Sequence, residues 1–479
     1  MINQSVRRVI ILLAILTSLV SEGVLAAAPM LLNDDFTARV VEASYLELLE
    51  DPGDSLSINK ITTLKAEAFS EVTSDTINMG HSASSIWARF AIKDQSKNIG
   101  TKNKWLLEIG YPLLKRVEVF VVEGSQVEQS YSLGYAMEMG QREVQNRVFV
   151  QPIYLKPGRE YHIYVNVMRK NGSIQLPLKI YRPNAFLTDA IKSNYVFGMF
   201  FGILFAMIIY NTYLFVSVGS RAYFYYILYI AFASTAFLTT TGYGFLLFWS
   251  QHPFINEYAL QIPSSLAAIT GLLFVRHFIG VKQYSVRYDR WISALVAVGG
   301  VLITVRLLTD YFLSEVITVY IALLSTVAPI MAVKCYRSGS RSAGFFLLGW
   351  ATLFVGILLY TLSMLAILPS NSITSNAVLV GAALETLLLS LGLADRINTE
   401  RRQKMLALEA QHKADLQLKA TENQLIHSAL HSGVTGLPNR TFLRTLIESN
   451  IKNSDNEKLV LVLISLNNFH EINKTLAGC

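Results

Sequence analysis

One carboxylate stands where a charge is expensive. Glu385 lies inside the apolar run 373–393, eleven residues before Arg396, which on a helix is about 16 Å from that basic boundary. An acid at such depth persists when it is protonated or paired, and it serves proton relays, ion paths or hydrogen bonding between helices. The residues leave two readings open: a protonated acid bonded to a neighbouring helix, and a step in a proton relay. A retinal Schiff base would need a lysine in this run, and 373–393 contains none.

A second set of residues could hold a ligand. Trp87 and Arg89 stand two apart in WARFAI (87–92), with Trp105 and Tyr111 in WLLEIGYP (105–112). Aromatic faces beside a guanidinium suit a small polar or carbohydrate-like ligand, whereas aromatics at alternating strand positions also build cores. His81 and His162 are isolated, and no His, Cys, Asp or Glu cluster has metal-ligand spacing. No catalytic residue, metal or cofactor is therefore expected.

These residues need elements to place them. The 479 residues are 52% hydrophobic and 16% charged, against about a quarter charged in an ordinary soluble chain. The apolar excess is concentrated in seven runs, near 195–217, 222–248, 258–279, 291–309, 312–333, 343–367 and 373–393, each about long enough to cross a bilayer. The connections expected inside the cell, with the tail, carry Arg221, then Arg276, Lys282, Arg287 and Arg290, then Lys334, Arg337 and Arg341, then Arg396, Arg401, Arg402 and Lys404. The opposite side carries Arg306 alone, so the basic excess predicts an external N-terminal region and a cytoplasmic C-terminus. The net charge of +7 belongs to these helix ends and does not point to nucleic acid. A transporter would show internal repeats and interrupted helices; no repeat is evident, and a transporter or scaffold remains an alternative.

The first 26 residues combine a basic start (MINQSVRR), the apolar run VIILLAILTSLV and small residues at Val24-Leu25-Ala26. That pattern predicts a secretory signal peptide over 1–26. Residues 36–185 then alternate short apolar runs, including RVEVFVV (116–122), VFVQPIYL (148–155), YHIYVNV (161–167) and LPLKIYR (176–182). Lys156-Pro157-Gly158 and Lys170-Asn171-Gly172 read as hairpin turns. The expectation is an exported all-β sandwich, jelly-roll-like. Cys335 and Cys479 both fall outside it, so it carries no disulfide.

This layout resembles the bacterial seven-transmembrane receptors with diverse intracellular signalling modules. Tyr210-Asn211-Thr212-Tyr213-Leu214-Phe215 followed by Arg221-Ala222-Tyr223-Phe224-Tyr225-Tyr226 is similar to that family's junction between its first two helices. Glu385 to Arg396 (ETLLLSLGLADR) is similar to its last helix, and Gly80, Trp87 and Arg89 to its external domain. The resemblance covers about 36–400. It implies a bacterial inner-membrane, multi-pass receptor with a carbohydrate-binding-like jelly roll in the periplasm and a signalling output inside; it does not fix the ligand.

Residues 395–430 are rich in helix formers and lack Gly and Pro. Ala407, Gln411, Ala414, Leu418, Thr421 and Leu425 follow a four-three spacing. A signalling helix or coiled coil is expected there, with pairing of two copies, against a solvated single helix. The next segment, His431-Ser432-Gly433-Val434-Thr435-Gly436-Leu437-Pro438-Asn439-Arg440, resembles the opening of GGDEF domains, the module of diguanylate cyclases, with Leu459 to Leu466 as the first central strand. The resemblance implies that Asn473 matches the guanine-contacting asparagine. It also implies that Ser465 stands where active cyclases carry a magnesium-binding Asp; a hydroxyl replaces that carboxylate poorly.

The whole is thus expected to be a multi-domain membrane protein: sandwich, seven-helix transmembrane bundle over 195–393, signalling helix, and a partial α/β GGDEF-type domain over 431–479. The sequence ends before any GGDEF segment. The expected function is a sensory receptor that couples an external ligand to cyclic-di-GMP signalling and is itself catalytically silent. The alternative is a membrane-bound cyclase or phosphodiesterase whose catalytic part lies beyond residue 479.

Overall fold

The computed structural model describes residues 28–72, 78–81, 84–96, 103–169, 173–309, 313–364, 367–368, 372–453, 460, 462–465, 467–468 and 474. The expected signal peptide, the Lys170-Asn171-Gly172 turn and Asn473 lie outside them. The chain divides into two compact units, Met1–Arg396 and Ile397–Cys479.

The first unit begins with a β-sandwich. One sheet runs in the order β4-β3-β6-β11-β8-β9, from β3 (Glu47–Asp51), β4 (Ser70–Glu71), β6 (Ser85–Asp94), β8 (Arg116–Glu123), β9 (Gln126–Leu133) and β11 (Glu160–Met168); β1 (Met30–Leu32) joins β6 in parallel. The facing sheet runs β10-β7-β13-β2, from β2 (Ala38–Val40), β7 (Asn103–Ile109), β10 (Phe149–Leu155) and β13 (Leu178–Tyr181). A two-stranded ribbon pairs β5 (Asn78–His81) with β12 (Ser173–Gln175).

Strand periodicity decides which side chains meet between the sheets. Ile86, Ala88, Phe90 and Ile92 of β6 join Val117, Val119 and Val121 of β8, Ile163, Val165 and Val167 of β11, and Trp105, Leu107 and Ile109 of β7. Burying each such branched or aromatic side chain contributes about 1.5–3 kcal/mol. The odd-numbered residues of β6, Trp87 and Arg89 among them, face the other way.

One turn differs from its reading. Lys156-Pro157-Gly158 reverses the chain, but β10 and β11 belong to different sheets. Gly158 adopts φ +79°, and its N–H donates to the Asp94 carbonyl at 2.7 Å. Pro-Gly chemistry specifies a reversal; the pairing partner is decided by where each strand's apolar face reaches the core.

Seven helices follow that are long and apolar enough to cross a membrane. With the short α1 (Ile58–Ile61) and α4 (Tyr243–Leu247), they are α2 (Pro183–Val218), α3 (Arg221–Thr240), α5 (Gln261–Ile279), then the short α6 (Val281–Tyr284), α7 (Val286–Leu308), α8 (Leu313–Arg337), α9 (Arg341–Met364) and α10 (Ser372–Leu430). Many large apolar side chains, such as Met199, Phe205 and Val216 of α2, are exposed, as surfaces facing lipid must be.

Two helices depart from the expected spans. α2 begins twelve residues early, at Pro183 in its first turn, where a missing N–H costs nothing. Its 36 residues extend about 54 Å, beyond a hydrocarbon core of about 30 Å. Hydropathy finds the part in lipid, not the whole helix. The second span stops at Thr240 because Gly242 turns left-handed, with φ +83°, before α4 starts.

The second unit contains the rest of α10 and α11 (Arg440–Asn453). Residues 398–429 are exposed throughout. The strand expected over 459–466 is not formed at its described residues: 462–465 are irregular and exposed. A strand satisfies its backbone only against a neighbour, and no strand is present in this unit among the described residues.

Candidate functional site

Glu385 sits on α10 facing the bundle interior and is 5% exposed. Its carboxyl accepts the Tyr229 hydroxyl, at 3.2 and 3.1 Å from its two oxygens. One turn away on α3, the Tyr226 hydroxyl donates to the Thr386 carbonyl. One turn along α10, Ser390 Oγ donates to Asn211 Oδ1 of α2 at 3.2 Å; Asn211 Nδ2 donates to the Met207 carbonyl at 2.8 Å. Residues 226 and 229, like 386 and 390, share a helix face through three- and four-residue spacing.

Small residues make this contact close. A Cβ on Gly271 of α5 would lie 3.1 Å from the Tyr229 ring, so the glycine leaves room for it. A Cβ on Gly356 of α9 would lie 2.4 Å from the Ala377 carbonyl oxygen, and one on Gly381 of α10 would lie 2.7 Å from that of Thr352. The two backbones meet through glycines, as helices packed in lipid commonly do. A small cavity of about 40 Å³ borders Glu385, Tyr229, Ala382 and Leu204.

The stretch of α10 around Asp395 and Arg396 is tied separately. Arg396 donates to the carbonyls of His277 and of Phe278, the latter at 2.6 Å, at the C-terminus of α5 where a cation complements the helix dipole. Arg341 pairs with Asp395 at 3.1 Å. Beside them Arg276 makes two bonds to Asp289, at 2.6 and 2.8 Å, and the His277 ring lies against Tyr225. Arg276 and His277 are thus both engaged by neighbouring groups at this helix end.

The external ligand candidates occupy a closed surface. Trp87 is 1% exposed and stacks on Phe120 with centroids 5.8 Å apart. Arg89 pairs with Glu47 and lies 3.8 Å over the Phe69 ring. The segment 56–69, with α1 and a short 3-10 turn at Ala66–Ala68, lays Ile61, Leu56, Ile58, Leu64 and Phe69 across this face. Trp87 Nε1 is buried without an acceptor. Trp105 belongs to the core between the sheets and donates to buried Asp94 at 3.3 Å. His162, on the covered face of β11, has its pKa pushed below the ordinary histidine value by burial. Near the sheet edge, the Arg116 guanidinium holds the Asp54 carboxyl below the usual carboxylate range.

In the second unit, Asn439 joins α10 to α11. Its Nδ2 donates to the Ala429 carbonyl at 2.7 Å, and its Oδ1 accepts the N–H groups of Thr441 and Phe442 at 2.9 and 3.1 Å, a side-chain N-cap. Gly436 turns at φ +68°, and His431 stacks on His427 and lies tilted against Phe442. Ser465 is exposed.

Three protein families match this chain in consecutive segments. Residues 43–182 match the extracellular domain described as 7TMR-DISM extracellular 2. Residues 193–396 match the domain described as 7TM diverse intracellular signalling. Residues 429–477 match the diguanylate cyclase GGDEF domain. The first two matches are the extracellular and membrane domains of the seven-transmembrane receptors with diverse intracellular signalling modules, in the order in which this chain carries them. No curated protein matches it.

The receptor brings Glu385 together with groups that sequence reading did not single out. Tyr229, Tyr226, Ser390 and Asn211 lie in the quoted stretches or beside them, but nothing in their spacing reveals that they meet. Arg142 and Arg147 were also missed. Arg142 is buried, with bonds to the carbonyls of Gly134 at 3.0 Å and Asn146 at 3.4 Å, and burial brings its guanidinium down to about 10. Trp87 and Arg89 share one patch, away from Trp105.

Proposed function

We propose that this receptor is a bacterial inner-membrane sensor that couples an external small-molecule or carbohydrate-like ligand to cyclic-di-GMP signalling, with a catalytically silent GGDEF-type region. The observation that carries this reading is the length of α10. One helix, Ser372–Leu430, holds Glu385 among its bundle partners and continues through the exposed stretch that ends at the GGDEF-type segment. A change in how the bundle holds this helix reaches its far end as rotation or axial shift, the small helix movement common to switching proteins.

The distribution of basic residues supports the sidedness, with the sandwich in the periplasm and residues from Arg396 onward inside. Silence is supported by Ser465, which offers a hydroxyl where a magnesium ligand needs a carboxylate. Two copies pairing along 397–430 would supply a partner for the exposed Leu418 and Leu425.

GTP turnover by membranes containing the purified full chain tests silence: no cyclic-di-GMP formed is the expected result, and its formation overturns this part. Reporter fusions at Gly280 and Asn371 test sidedness, with cytoplasmic and periplasmic signals expected respectively. Cellular cyclic-di-GMP that does not change on expression of the receptor, under any external condition, would sink the coupling.

A further inference from the structure

Helix α3 is held at two places by two different bodies. At its outer end the sandwich grips it. Arg147 Nη1 donates to the Thr241 carbonyl at 3.3 Å, and Nη2 to Ser193 Oγ of α2 at 3.2 Å. Its guanidinium lies 4.8 Å over Phe197 and 5.8 Å over Tyr243. Gly242 presses against the Arg147 backbone so closely that a Cβ would fall 2.0 Å from that carbonyl oxygen.

The connection that follows α3 is fastened to the same face of the sandwich. Arg142 is flanked by Phe149 of β10 at 4.7 Å and Phe245 of α4 at 5.2 Å. The Met139 N–H donates to the Ser250 carbonyl at 3.1 Å. Asn256 Nδ2 donates to the Tyr135 carbonyl at 3.2 Å and its Oδ1 accepts from Trp249 at 2.8 Å. Lys115 pairs with Glu257 at 2.7 Å. Backbone bonds, stacked cations and an ion pair together leave 241–257 little freedom to slide on the sandwich.

Further along, α3 grips α10 through Tyr229 on Glu385 and Tyr226 on the Thr386 carbonyl. Thr241 lies twelve positions after Tyr229, about 18 Å along the helix axis. A helix over that length transmits axial and rotational displacement because its hydrogen-bond ladder resists stretching, and packed interfaces switch between discrete arrangements. We propose that α3 is the element that carries movement of the sandwich to α10, with Arg147 and Gly242 at Thr241 as its input contact and Tyr229 on Glu385 as its output contact. This rests on the receptor reading only in treating the sandwich as the input.

A second route is present and must be separated. α2 continues directly from the sandwich and reaches α10 through Asn211 and Ser390. The test is hydrogen exchange of the full chain in lipid nanodiscs, following amides of 383–396. Arg147→Gln removes the side-chain grip and Gly242→Ala wedges the backbone contact. Either is expected to speed exchange there about tenfold. In a Tyr229→Phe background the added effect is expected to fall below about twofold, whereas Asn211→Ala leaves it intact. Faster exchange at 241–257 with 383–396 unchanged overturns the proposal. So does an effect that survives Tyr229→Phe and disappears with Asn211→Ala. Unchanged exchange in β8 reports an intact sandwich, and where Gly242→Ala fails this control, Arg147→Gln decides. These exchange results are independent of cellular cyclic-di-GMP, so failure of the receptor reading leaves a distinct signature.

Discussion

The Tyr229 hydroxyl on α3 donates to the carboxyl of Glu385 on α10, 156 positions later in the chain. In the hydrocarbon region no water replaces a lost partner. Each group is therefore satisfied by the other helix, and the pair ties α3 to α10 inside the bundle.

Replacing the acid by its neutral isostere separates the two roles open to Glu385. Glu385→Gln keeps an acceptor for the Tyr229 hydroxyl, and its unfolding free energy is expected within about 0.5 kcal/mol of the parent. Glu385→Leu leaves that hydroxyl buried and unpaired, at a cost of about 1–3 kcal/mol. Detergent-based unfolding of both variants measures this. A Glu385→Gln receptor with normal stability but abolished signalling would instead favour the proton-relay role.

The covered face of the sandwich depends on the Arg89–Glu47 pair. Side-chain exposure is only 12% and 10%, so solvent screens it weakly. Glu47→Ala strands the guanidinium between Phe69 and β6 and is expected to destabilise the sandwich by about 3 kcal/mol. Thermal melts followed by tryptophan fluorescence would show it, since Trp87 lies in the same patch. A shift no larger than that of an exposed-site control contradicts the assignment.

Acid should weaken the sandwich through His162. Burial lowers its folded pKa from the ordinary 6.5, so the native state binds fewer protons than the unfolded chain. The stabilising contribution is complete above pH 6.5 and is lost as pH falls through the folded value. Between pH 7 and 5 the melting temperature is expected to fall more steeply for the parent than for His162→Gln. Equal slopes would show that His162 does not titrate on unfolding.

The α9–α10 crossing should tolerate no side chain at its closest points. Gly356→Val and Gly381→Val each place a Cβ inside contact distance of a backbone carbonyl, and overpacking of this kind costs about 1–3 kcal/mol or more. Folded yield after detergent extraction is expected to drop, while Gly300→Val, at a position with open space around it, serves as the control.

Much of the architecture was legible because membrane energetics are local. Runs such as 343–367 and the basic residues that flank them announce spans without reference to any partner. The β-sandwich was equally readable from alternation in stretches such as 116–122 and 161–167. The misreadings have physical causes of the same kind. α2 is longer than its apolar run because helix and lipid-facing segment are different lengths. Pro157-Gly158 specified a reversal but not the sheet that received the next strand. The GGDEF resemblance implied a strand over 459–466, yet strand formation needs a neighbour.

Residue types and their order along the chain were enough to locate the seven spans, the continuous helix through 395–430 and the acid in the last span, since each reflects the local composition of one segment. Partnership required the folded molecule. That Trp87 and Arg89 lie beneath 56–69, that Glu385 meets Tyr229, and that Arg147 seizes the end of α3 all depend on segments far apart in sequence arriving at one place. Such contacts are selected by packing of the whole unit, and no local pattern encodes them.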